Sequence, residues 1–144
     1  MSEMLANQYF ISERYSEAFE EYSKLPKVRR KNIIIKEKMI ISATFDENFE
    51  EALSMLRELI KDKFGQSDSI KINAQVCPCI EVVNKLESQN KQGQEYKDVI
   101  KMKIAILTFF SDQDKSLRYF EKLKDSSYAD LINSFLKSIN NIIN

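Results

Sequence analysis

Apolar residues along this chain recur every three or four positions, which is helical rather than strand spacing. Leu5, Tyr9 and Phe10 predict a helix over about 2–13, with Ser2 placed to cap it. Ser16 precedes a second, in which Ala18, Phe19, Tyr22 and Leu25 share a face that stops at Pro26. A third helix is expected over about 32–45 (Ile35, Met39, Ile40, Ala43) and a fourth over about 48–63 (Phe49, Ala52, Leu56, Leu59, Ile60), closed by Gly65.

Beyond Gly65 the spacing stays mainly helical. Ile70, Ile72, Val76, Ile80, Val83 and Leu86 predict a helix over about 69–90, bent at Pro78 or beginning afresh there. The alternation at Ile70, Ile72, Ala74 and Val76 also allows a short strand, but no partner strand is evident. The polar run 88–93 reads as a hinge. A helix over about 94–110 follows, with Tyr96, Val99, Ile100, Ile104, Leu107 and Phe110 inward. Asp112 can cap another over about 113–124, and Ser127 a last one carrying Leu131, Ile132, Phe135, Ile139 and Ile142.

The pattern also repeats. Residues 16–25 return at 50–59, so that Ala18 answers Ala52, Tyr15 Phe49, Leu5 Met39, Tyr22 Leu56 and Leu25 Leu59, all at an offset of 34. A fixed period of this length is the signature of stacked helix pairs. On Leu5, Ala6, Tyr9, Tyr15, Ala18 and Tyr22, followed by Met39, Phe49, Ala52, Leu56 and Leu59, residues 2–64 resemble two tetratricopeptide repeats. In the second, Ile40 replaces the usual small residue and Ala43 the aromatic. Ser116, Phe120 and Leu123 mimic the alanine, aromatic and leucine positions, which points to a degenerate third repeat in 94–124. The resemblance implies an all-α fold: a solenoid of antiparallel helix hairpins, about seven or eight helices in a right-handed superhelix, ended by a C-terminal capping helix. One domain is expected over 1–144, with two repeat-like hairpins in 1–64, an irregular helix and hinge in 65–93, and the degenerate repeat and capping helix in 94–144.

Composition narrows the chemistry. Hydrophobic residues make up 43% and charged residues 31%, with two glycines and two prolines, a balance that favours helix over sheet or disorder. Lys and Arg total 22, as do Asp and Glu, so no net charge draws the whole molecule to nucleic acid or an anionic membrane. Neither a signal-like segment nor an apolar run of ~20 residues is visible, and the expected location is the cytoplasm. Cys77 and Cys79 flank Pro78; without histidine they supply half the ligands of a zinc site, and they are read as inert thiols at a helix bend. No cofactor or metal is expected. Adjacent Glu20-Glu21 and Glu50-Glu51 point in different directions on a helix, so they do not make a catalytic pair, and no enzymatic activity is expected.

Function is therefore sought on surfaces. The resemblance implies that the first helix of each pair lines a concave groove, here Glu3, Asn7, Phe10 and Ile11, then Ile34, Glu37, Ile41, Thr44 and Phe45. Such an apolar groove suits a protein or peptide partner of an adaptor, assembly factor or chaperone. Some relatives grip a terminal carboxylate with these helices; Asn7 matches, but Glu3 would repel that ligand. The alternative is that the later helices fold back and bury the groove. The rival functional reading is a structural subunit or homodimer built on Leu131, Phe135, Ile139 and Ile142. Lys24, Lys27, Arg29, Arg30 and Lys31 form a dense basic cluster, read as a solvated turn rather than a phosphate site.

Overall fold

A computed structural model of the chain describes residues 2–64, 79–88 and 97–143. Helices joined by short turns, with no strand, make up the described residues: α1 (Ser2–Ile11), α2 (Tyr15–Ser23), α3 (Lys27–Arg30), α4 (Ile33–Phe45), α5 (Phe49–Phe64), α6 (Cys79–Ser88), α7 (Asp98–Thr108), α8 (Gln113–Lys122) and α9 (Ala129–Ile143). One element was not anticipated. The basic turn after Pro26 winds into the single-turn α3: Pro26 is its N-cap, in extended backbone at φ -58° and ψ 150°, and its carbonyl accepts from the Arg29 and Arg30 N–H groups.

The 34-residue offset is visible in the backbone itself. After α1, Arg14 donates its N–H to the Tyr9 carbonyl and Glu13 to that of Phe10; after α4, Asn48 donates to Ala43 and Glu47 to Thr44. Glu13 and Glu47 both lie in the left-handed region, at φ 62° and 61°. These are two Schellman turns, each capping the end of a first helix and starting the second. Ala18 and Ala52, four residues past each turn, are both fully buried, where helices approach closely and a larger side chain would not fit. The α7–α8 pair preserves the buried side chains but not the turn. Ser116, Phe120 and Leu123 are fully buried, and the Ser116 hydroxyl donates to the Ala105 carbonyl on the facing helix. Its turn instead sends the N–H groups of Ser111 and Asp112 to Thr108.

Two apolar clusters result, with α4 as the wall between them. Ala6, Ala18, Tyr22, Leu25, Ile35 and Met39 form the smaller, built by α1, α2 and one face of α4. The other face of α4, through Ile40, Ile41 and Ala43, joins a larger core with α5, α7, α8 and α9. At its centre is α7, packed on α4, α5, α6 and α8 and buried from Ile104 to its end, the burial continuing through Phe109 and Phe110. Its second half, Ile104–Thr108, is apolar but for Thr108 and lies inside, while Lys101 and Lys103 of its first half stay partly exposed. The last helix, α9, returns to lie along α5.

Most expected boundaries fall within a few residues, and two expected caps change. Asn32 caps α4, accepting from the Ile34 and Ile35 N–H groups, and Asp112 caps α8 as expected, accepting from Lys115. Ser16 is not a cap: α2 begins one residue earlier, and Arg14 at its N-cap pairs with Glu17 instead. Ser127 gives way to Ser126, whose hydroxyl accepts from the Tyr128 N–H just before α9. The helix expected over 69–90 is described only as α6, which starts immediately after Pro78. Residues 69–78, Cys77 among them, lie outside the described residues, as do Gly65, the hinge at 89–93 and Tyr96.

Candidate functional site

The groove residues named from the resemblance do not form one open surface. Glu37, Ile41 and Thr44 are buried, and the Thr44 hydroxyl donates to the Ile40 carbonyl one turn back in α4. Helix α7 packs on α4, and Ile41 belongs to the same core cluster as Met102 and Ile104 of α7. Phe10 and Phe45 are half-buried on either side of Tyr15, which meets Phe10 edge-on at 5.8 Å and stacks on Phe45 at 4.6 Å. Burial, with the charge of Glu13 second, raises the Tyr15 pKa. Ile11 and Ile34 are exposed, but they sit at the last position of α1 and near the start of α4.

Asn7 has a structural task. Its side-chain oxygen accepts from the buried Tyr22 hydroxyl at 2.5 Å and from the Lys38 ammonium at 3.2 Å, tying α1 to α2 and α4. Lys38 also lies 5.7 Å over the Phe10 ring, and Glu3 pairs with Arg29 of α3 at 2.7 Å. Asn7 and Glu3 thus join helices rather than face an open groove.

The C-terminal stripe is likewise engaged. Phe135 and Ile139 are buried against α5 and α8, with the Phe135 ring 5.2 Å from Phe120, while Leu131 and Ile142 are half-buried against the same core. The stripe expected for self-association is therefore not one exposed apolar face: Phe135 and Ile139 are buried within the molecule, and Leu131 and Ile142 are partly exposed.

An open cleft lies instead between α2, α3, α4 and α5. It has a volume of about 320 Å³, a floor of Phe19, Met39 and Met55, and a rim of Arg30, Lys36, Glu51 and Glu58 with Ser23 and Ser54. A second cleft, of about 220 Å³, separates α5 from α9 and is lined by Glu50, Arg57, Leu131 and Ser134. The first is the candidate site, because it combines an apolar floor with charged groups at the junction of the two hairpins.

The basic cluster of 24–31 is dispersed around it. Lys24 pairs with Glu21 at 3.1 Å, Arg29 turns to Glu3, Lys27 and Lys31 stay exposed, and Arg30 turns into the cleft. Sequence reasoning grouped these five as one solvated patch. The available signal was Pro26, whose position at a helix start fans the following side chains around a turn.

Comparison with known proteins adds no relative: no family model, curated protein or solved structure matches the chain. Among the described residues no helix is long and apolar enough to cross a membrane, and no group of three or more potential ligands could hold a metal ion.

Proposed function

We propose that this chain is a tetratricopeptide-like helical-repeat module that binds a protein or peptide segment without catalysing a reaction, as an adaptor, assembly factor or chaperone does. The observation that carries the reading is the open, apolar-floored cleft at the junction of two hairpins that repeat each other turn for turn. Repeat scaffolds present such inter-element surfaces on a rigid frame, and a few apolar anchors supply most of the affinity. The binding surface in this reading is the cleft bounded by α2 and α5, in place of the face on which Glu37, Ile41 and Thr44 are buried.

Selection of a random peptide library on the immobilised full chain tests the reading. The expected result is a shared apolar-containing motif whose binding is lost in Met55→Lys, a substitution at a half-buried residue of the cleft floor, once that variant is shown to fold. Failure to enrich any motif, or a motif indifferent to Met55→Lys, would contradict it.

A further inference from the structure

The α5 wall of the cleft carries a row of carboxylates. Glu51, Met55, Glu58 and Asp62 follow one another at i, i+4, i+7 and i+11, so they lie along one side of the helix, with the half-buried Met55 between the two glutamates. Asp62, at the end of the row, is already met by a cation: Lys36 of α4 lines the same cleft and pairs with it at 2.9 Å, its side chain largely covered. Glu51 and Glu58 are exposed, and among the described residues neither forms an ion pair. The remaining charged residue of the rim, Arg30, belongs to α3, which packs on α4, and its Nε–H is covered from solvent. With Lys36 neutralised, the rim keeps two carboxylates against one guanidinium, and both carboxylates stand on the α5 wall.

The Lys36–Asp62 pair shows what such a row accepts. A lysine or arginine lays its alkyl stem on apolar surface and keeps its cation at the edge, and a floor of Phe19, Met39 and Met55 with carboxylates at its margin fits that shape. Glu51 and Glu58 are about 10 Å apart along the helix axis at 1.5 Å per residue. In an extended segment alternate side chains share a face, and the Cα atoms of its first and fifth residues are about 13 Å apart. Two flexible lysine stems at those positions reach both glutamates while the third residue sits over Met55.

We propose that the cleft recognises an extended peptide segment with a basic residue on either side of an aliphatic one, the aliphatic side chain lying on Phe19 and Met55 and the two cations meeting Glu51 and Glu58. This rests on the peptide-binding reading above and adds its selectivity.

The direct test titrates the labelled full chain with acetyl-Lys-Ala-Leu-Ala-Lys-amide and follows the amide resonances of α5 from Glu51 to Glu58. Peptides with Gln or Glu at both lysine positions are the controls. The lysine peptide should shift those resonances in a saturable way and bind about fivefold more tightly than the Gln peptide, as two exposed ion pairs allow, with the Glu peptide weaker still. Its advantage should shrink as salt is raised and vanish in the Glu51→Gln, Glu58→Gln double variant. Each single variant should lose part of it, which keeps the test open if the double variant is unstable. An advantage that survives in the double variant would place the cations elsewhere and overturn the inference. Equal binding of all three peptides, or a preference for the Glu peptide, would also overturn it and leave the peptide-binding reading standing. No binding of any of them would overturn it too, and an empty library selection would remove the broader reading as well.

Discussion

Helices α1 and α4 are the same element met twice, 34 residues apart, yet one lies at the edge of the molecule and the other in its middle. Both end in a Schellman turn on a left-handed glutamate, and both pack on the helix that follows them. Their side chains diverge. Leu5 is 37% exposed, whereas its counterpart Met39 is 6% exposed; Gln8 faces solvent, whereas Ser42 is fully buried. Helix α4 has α2 before it and α7 against it, while α1 has α2 and the Glu3–Arg29 link to α3. Matched positions of two helices with the same closing turn are buried to different extents where different helices pack around them.

Substitutions at matched positions test that difference, beginning where it is widest. Met39→Ala should destabilise by about 2–5 kcal/mol, the usual cost of truncating a buried side chain, while Leu5→Ala should cost under about 1 kcal/mol. Denaturant unfolding of the two variants measures both, and equal losses would remove the contrast. Next come Ala18→Phe and Ala52→Phe, which occupy equivalent close contacts and should each lose about 1–3 kcal/mol. An unchanged unfolding midpoint in either would break the equivalence of the hairpins.

The two turns should respond in the opposite direction. Glu13→Gly and Glu47→Gly relieve a left-handed backbone that a side chain disfavours, and each should gain up to about 1 kcal/mol. Glu47→Gly should gain less, because Glu47 also pairs with Lys103 of α7 at 3.4 Å. Thermal unfolding of both variants checks the order.

A last contrast is confined to high pH. Tyr22 is buried where the second hairpin has Leu56, and burial, reinforced by the charge of Glu3, raises its pKa well above 10.0. The folded state then holds its phenolic proton more tightly than the unfolded chain does. Its contribution is fully present below the unfolded-state pKa of 10.0 and is lost as pH rises above it. Tyr22→Phe should flatten the alkaline fall in stability measured against wild type. A fall of unchanged steepness would assign it to Tyr15 and Tyr128, whose pKa values are also raised, chiefly by burial.

How far the sequence reaches is visible in these same residues. Helix positions, the equivalence of Ala18 with Ala52, and the cap at Asp112 depend on local spacing and chemistry, and they were legible. The left-handed turns were not, since glutamate at Glu13 and Glu47 carries none of the signal that glycine would. Nor could periodicity tell that Ile41 and Thr44, or Phe135 and Ile139, are buried inside the molecule, because an apolar stripe does not name its partner. The cleft itself was hidden for a related reason. Phe19, Arg30, Met39 and Met55 come from four elements, and only their packing makes a site of them.

Native-state hydrogen exchange under mild denaturant tests the central contrast most directly, because it reads the opening of each helix in one unmodified sample. Amides of α4 from Met39 to Thr44 should exchange only through global unfolding, and those of α1 from Asn7 to Ile11 through a smaller opening of lower free energy. Equal protection of the two helices would contradict the account.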